Sequence, residues 1–173
     1  MHMSDQREIA APVSEVWAAL LSAEILGACV PGAKEVTGNP EDGFDATVVQ
    51  KVGPVKATFK GRVELSNLVE GTSLTLSGEG KGGAAGFAKG GADVTLAASE
   101  TGTLLSYEVD AKVGGKLAQL GSRLIDGFAK KMADQFFTNF QEALEGPSEP
   151  DDAADEGEKP AEKKGLLSRL TGR

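Results

Sequence analysis

Residues 116–144 read KLAQLGSRLIDGFAKKMADQFFTNFQEAL and are the longest periodic stretch of the chain. An apolar side chain recurs there every three or four positions, at Leu117, Leu120, Leu124, Ile125, Phe128, Met132, Phe136, Phe137, Phe140 and Leu144. This spacing predicts one amphipathic helix, about 43 Å long at the usual helical rise, which Gly146-Pro147 would end.

The residues before this helix alternate between apolar and polar with a period of two. The clearest run places inward Val55, Ala57, Phe59, Gly61, Val63 and Leu65. Similar alternation occurs at residues 44–48, 74–76, 92–98 and 105–113, with glycine-rich turns between them. Such a pattern predicts antiparallel strands with one buried and one wet face. One long helix against one curved sheet is an α+β architecture.

Two short helices are predicted near the start of the chain. Apolar residues recur at helical spacing after Pro12, and Trp17 lies among them as a predicted core residue. Ser22 can cap a second helix over residues 23–28, which would end before Pro31.

Composition excludes several classes of function. The chain has 173 residues and a net charge of −8, so a nucleic-acid groove is not expected. Its one cysteine and one histidine supply neither a disulfide nor a catalytic triad nor a multi-histidine metal site. No apolar leader and no membrane-spanning run is seen, which predicts a cytoplasmic protein.

The chain changes character near Gly146. Residues 1–146 are predicted to form one domain, and residues 147–158, with six acids and no base, an acidic disordered linker. Residues 159–173 are basic and leucine-containing, which favours a short amphipathic segment at a membrane surface over a disordered soluble terminus. Its candidate membrane-association residues are Lys163, Lys164, Leu166, Leu167, Arg169 and Leu170.

The predicted helix carries large side chains and the predicted sheet many small ones. Residues that leave room between them are Ala57, Gly61, Gly86, Ala88, Ala111 and Gly121. The space between the helix and the sheet is therefore either a ligand cavity or filled by the side chains of the helix.

Other motifs favour structural interpretations. Gly78-Glu79-Gly80-Lys81-Gly82-Gly83 fits G-x-G-x-x-G, but a strand pattern follows it where a nucleotide-binding loop needs a helix. Cys29 has no cationic neighbour in the sequence and is interpreted as a small buried residue. Tyr107 is the inward polar side chain of the strands, suited either to donate to a ligand carbonyl or to pack in the core.

The sequence resembles the carbon monoxide dehydrogenase G-subunit family, a branch of the START-like, helix-grip superfamily. Four segments carry the resemblance in the family's order: residues 12–20 with Ala28-Cys29-Val30-Pro31-Gly32; Gly53-Pro54-Val55-Lys56-Ala57; Gly78-Glu79-Gly80 with Gly86-Phe87; and residues 119–125 with Gln135-Phe136-Phe137. The resemblance implies a sheet of about seven antiparallel strands that grips the C-terminal helix, with two short helices after the first strand.

The resemblance also implies a function. Family members recruit a molybdenum-containing carbon monoxide dehydrogenase, or a related molybdenum hydroxylase, to the inner face of the cytoplasmic membrane. They carry no covalent cofactor and are reported to hold a quinone, here menaquinone or ubiquinone, in an apolar cavity. The residues expected to line that cavity are Val30, Phe59, Phe87, Tyr107, Leu117, Leu120, Gly121, Leu124 and Phe128. The alternative is a helix-grip enzyme, a cyclase or hydrolase, acting on a hydrophobic small molecule.

Overall fold

The computed structural model describes residues 1–145, and the predicted linker and C-terminal segment lie outside them. In chain order the elements are β1 (His2–Ile9), α1 (Val13–Leu20), α2 (Ala23–Cys29), β2 (Ala33–Asn39), β3 (Gly43–Val52), β4 (Val55–Val69), β5 (Ser73–Lys81), a 3₁₀ turn (Gly83–Ala85), β6 (Phe87–Ser99), β7 (Gly102–Gly114), α3 (Lys116–Gln119) and α4 (Ser122–Glu145).

The seven strands form one antiparallel sheet in the order β1-β7-β6-β5-β4-β3-β2. Strands β2 to β7 are therefore a meander, and β1 adds to the free edge of β7. The strand pattern read from the sequence is confirmed, as is the α+β class. The glycine motif lies at the end of β5 and in the 3₁₀ turn before β6, so no helix follows it.

A side-chain cap begins α2, and both short helices contribute residues to the core. The side chain of Ser22 accepts a hydrogen bond from the backbone N–H of Ile25 at 3.2 Å, the cap expected from the sequence. Trp17 and Cys29 are buried in the core, as predicted. Burial also raises the pKa of the Cys29 thiol, which keeps it neutral.

The prediction of a single C-terminal helix over residues 116–144 is wrong. The helix is interrupted after Leu120, and Gly121 has a φ of +91°. Glycine has no Cβ and adopts this left-handed conformation without strain, so α3 ends there and α4 begins at Ser122. At the usual rise, the 24 residues of α4 extend about 36 Å.

The apolar interior consists of two separate clusters. The larger cluster joins β1, α1, α2, the central strands and the C-terminal half of α4, and its most buried residue on α4 is Phe140. The smaller cluster centres on Val52, Leu117 and Ile125, at the end where α4 begins. The concave face of the sheet between them carries few large side chains.

Candidate functional site: an apolar cleft

The inner face of the sheet between the two clusters is lined by small, half-buried residues. They belong to neither cluster and come from five neighbouring strands: Ala46, Val48, Ala57, Gly61, Val63, Gly78, Gly80, Ala88, Gly90, Ala92 and Ala111. Residues that face the interior but stay half-exposed border open space rather than packed atoms. We call this space the cleft.

One glycine of the cleft has open space above it on the side of α4. A Cβ atom built on Gly80 would meet no atom within 4 Å. The atoms nearest to those built on Gly61 and Gly78 belong to the neighbouring strands β5 and β4, at 3.0 Å. No side chain of the helix therefore lies within 4 Å of a Cβ at Gly80, which favours the open alternative read from the sequence.

The nine cavity residues expected from the sequence occupy different environments. Leu117 is buried in the smaller cluster, and Phe59, Leu120 and Phe128 pack against it, so these four border one end of the cleft. Tyr107 is buried in the larger cluster at the other end, where its ring stacks on Phe137 at a centroid distance of 5.3 Å.

The other four expected residues lie outside the cleft or at its margin. Phe87 is 40% exposed and covers Gly114, on the outer face, because it alternates with the inward Ala88. Leu124 is also 40% exposed and lies against Gly53. Gly121 is exposed, and Val30 is half-buried just after α2. The inward placement expected for Phe87 and Leu124 is therefore corrected.

Arg7 is the inward polar residue that the sequence analysis missed. It lies on the same, inner face of β1 as Met3 and Ile9, and its side chain is only 21% exposed. Its guanidinium donates to Asp134 of α4 and lies 5.2 Å from the centroid of the Phe137 ring. The Nε atom of Arg7 is buried without a hydrogen-bond partner. The alternation in residues 1–9 was the signal available for this residue.

Arg7 and Asp134 shift each other's titration. The pKa of Asp134 lies below its usual value, chiefly because its carboxylate accepts the hydrogen bond from Arg7. The pKa of Arg7 is raised, chiefly by the same hydrogen bond to Asp134. Burial lowers the pKa of Arg7, whereas the Tyr107 phenol raises it further. The half-exposed Asp134 carboxylate thus neutralises a largely buried cation.

Replacing Asp134 by asparagine is expected to change how the free energy of unfolding depends on pH. A carboxylate whose pKa is lower when folded contributes stability above its unfolded pKa and loses it as pH falls through the folded value. The substituted protein should therefore be less stable at pH 7 but show a flatter loss of stability below about pH 4. Urea unfolding at pH 3 to 7 measures this, with Asp126→Asn as the control. Parallel profiles for wild type and D134N would contradict it.

A second concavity lies on the outer face of the sheet. It has a volume of about 430 Å³ and is lined mostly by charged and hydroxyl side chains of β2 to β5, among them Glu35, Asp45, Lys60, Arg62 and Glu79. Arg62 bonds Asp45 and Glu64 there. Ala46 and Gly61 of the cleft also border this groove. The groove is open and polar, and therefore unsuited to an apolar ligand.

Acidic and histidine side chains of the described residues lie apart or on the surface. Within residues 1–145, no group of three or more His, Cys, Asp or Glu side chains is placed to hold a metal ion. Glu108 and Asp110 lie on the exposed face of β7 near His2, whose pKa is raised chiefly by its hydrogen bond to Asp110. Among the helices of this described part, none is long and apolar enough to cross a membrane.

A seven-stranded antiparallel sheet that curves around a long C-terminal helix defines the START-like, helix-grip class. A conserved protein from Geobacillus kaustophilus has this fold, with a TM-score of 0.78, 28% identity, and 84% of this chain and 95% of that chain covered. A START superfamily protein from Mycobacterium smegmatis matches with a TM-score of 0.63 at 14% identity, covering 83% and 97%. Protein Ms6760 from the same organism gives 0.62 at 16% identity, covering 86% and 93%.

The family profile of the carbon monoxide dehydrogenase G-subunit (CoxG) matches residues 6–145, and the chain belongs to this family. The family's name is that of an accessory component, which together with the START-like fold suggests a ligand-binding accessory protein. Among curated proteins, no sequence matches the chain significantly.

Proposed function

We propose that the protein is a non-catalytic carrier and adaptor that holds an apolar ligand in the cleft and docks a molybdenum hydroxylase of the carbon monoxide dehydrogenase type. The observation that carries the proposal is the open space above the inner face of the sheet at Gly80, where an added Cβ would meet no atom within 4 Å. A protein that needed only a docking surface would gain stability by filling this space, because apolar burial is the main favourable term in folding.

A quinone, such as menaquinone or ubiquinone, suits the cleft chemically. Its ring and isoprenoid chain are apolar and elongated, and its two carbonyl oxygens accept hydrogen bonds. The cleft has an apolar lining, and Arg7 and Tyr107 supply donors on the inner faces of β1 and β7 at the end formed by the larger cluster. A single cleft with few polar groups is typical of sites that bind apolar small molecules.

The ligand is tested by titrating the full chain with a short-chain menaquinone analogue. Binding should quench the fluorescence of Trp17, which is buried in the larger cluster, and should saturate at one analogue per chain. Extraction and mass spectrometry of protein purified from its own membranes would identify the bound molecule. Hydrolysis or cyclisation of an apolar substrate, lost on Tyr107→Phe substitution, would favour the enzyme alternative.

Residues 159–173 are proposed to hold the protein at the membrane. Their sequence combines five positive side chains with three leucines, and each basic residue near an anionic leaflet contributes roughly 1 kcal/mol. The attachment would be weak and reversible. A docked enzyme partner would still be held near the membrane, because linking two binding sites in one chain raises the effective concentration of the second site.

Deleting residues 159–173 is expected to weaken binding to anionic liposomes at least tenfold and to move the partner dehydrogenase into the soluble fraction. Co-sedimentation with vesicles and cell fractionation measure the two effects. Deleting residues 147–158 instead is the control, since it removes only acidic linker. Unchanged sedimentation of the 159–173 deletion would disprove the role of this segment.

A further inference from the structure

The two ends of the sheet differ in which chain segments they contain. At one end lie the turn between β3 and β4, the 3₁₀ turn, and the segment that joins β7 to α4. These segments contact each other: Gly53 lies against Leu124, and Gly86 lies against the backbone of Gly114. We call this end, formed by residues 50–57, 80–88 and 112–124, the basic end.

The three segments of the basic end carry a net positive charge. They contain six basic side chains and no acidic one, and all six are exposed: Lys51, Lys56, Lys81, Lys112, Lys116 and Arg123. None of them forms an ion pair with another residue of the described range 1–145. Lys51 and Lys56 even lie directly opposite each other on β3 and β4. Like charges at such a position repel, so they favour an external anion.

The opposite end has the reverse charge. Residues 10–24, 66–73, 97–103 and 141–145 form it and hold six acidic side chains and no basic one: Glu15, Glu24, Glu70, Glu100, Glu142 and Glu145. A molecule with this separation of charge has a defined orientation at an anionic surface, because one end is attracted and the other is repelled. The overall net charge of −8 conceals this asymmetry.

Two exposed apolar side chains accompany the charges at the basic end. Phe87 and Leu124 are each 40% exposed, and the other two exposed large hydrophobic residues of the described range, Leu68 and Val69, lie among the acidic side chains of the opposite end. Five of the six cations are lysines, which act as point charges with flexible stems and do not require the planar, bidentate partner that arginine favours. Flexible cations around exposed apolar groups suit a fluid layer of phosphate headgroups over hydrocarbon.

We propose that the basic end is a second membrane contact, built into the folded domain, which docks on anionic phospholipid headgroups with Phe87 and Leu124 in the interface. The smaller cluster lies directly behind this end, and the cleft begins behind that cluster. Docking therefore turns the near end of the cleft towards the bilayer and the acidic end away from it. The contact does not depend on residues 159–173 or on the identity of the ligand.

The test compares two charge-matched variants of the full chain. Lys116→Gln with Arg123→Gln removes two charges from the basic end, and Lys34→Gln with Lys131→Gln removes two exposed charges elsewhere. With vesicles of phosphatidylglycerol and phosphatidylcholine, the first variant should partition about 25-fold more weakly, given about fivefold per charge at the surface. The control variant should change less than threefold. Equal losses in the two variants would overturn the proposal, since net charge alone would then explain binding.

A fluorescence experiment tests the apolar part of the contact. Phe87→Trp places an indole at the basic end, and Leu68→Trp places one at an exposed apolar site near Glu70, at the acidic end; buried Trp17 is common to both. Brominated lipid should quench the first indole and not the second. Equal quenching, or none, would overturn insertion. Titration of the charge variants with the menaquinone analogue in detergent should be unchanged, so a failure of docking is distinguishable from a failure of ligand binding.

Discussion

Gly80→Leu is expected to weaken binding of the menaquinone analogue about 100-fold while the protein stays folded. The new side chain would enter the cleft, where a Cβ at this position meets no atom within 4 Å. A ligand in that space would then overlap the leucine, and a factor of 100 corresponds to about 2.7 kcal/mol, within the usual cost of overpacking. Titration by fluorescence measures the change.

The control for this variant is Ser77→Leu. Ser77 lies on the same strand, three residues earlier, and its side chain is exposed on the outer face. The added leucine there should leave analogue binding unchanged. Urea unfolding should show Gly80→Leu as stable as wild type or up to about 1 kcal/mol more stable, since glycine is unfavourable inside a strand. Undiminished binding by Gly80→Leu would place the ligand outside the cleft.

The position of Leu124 shows where sequence reasoning ends. Leu124 shares the helical apolar spacing of the interior residues, and on a single continuous helix it would face the sheet. The break at Gly121 starts a new helix, and Leu124 lies on its first turn, beside the β3–β4 turn. Spacing alone does not reveal a left-handed residue inside an apolar repeat, because the repeat continues on both sides of it.

The strands were predictable because alternation reports local exposure directly. Tyr107, Val109 and Ala111 face inward as their spacing indicates, and the turns expected at Gly53 and Gly71 fall between strands. Phe87 was misplaced because the family resemblance assigned it to the cavity, whereas its position in the alternation, next to inward Ala88, indicates the outer face. Where residue type and alternation disagree in this sheet, alternation predicts the face correctly.

Arg7 could not be assigned a partner from sequence because Asp134 is 127 residues away. Alternation places Arg7 on the inner face, but only the packing of α4 across β1 brings the carboxylate to it. The basic end has the same origin: its six cations are distributed over three segments that become neighbours only when the strands pair. Interactions that depend on topology are thus the part of the site that sequence patterns leave out.

Phe140→Ala is expected to have the largest effect on stability of any single truncation on α4. Phe140 is fully buried, stacks on Phe136 at 5.5 Å and meets the edge of Phe137 at 6.4 Å between ring centroids. Truncating a buried phenylalanine costs about 3–5 kcal/mol, from lost transfer energy and the cavity left behind. Phe128→Ala is the matched control, because Phe128 is half-buried beside the cleft. Its neighbours already border open space, so its truncation should cost about half as much. Urea unfolding of both variants measures the difference, and equal losses would mean that the cleft end is packed as tightly as the core.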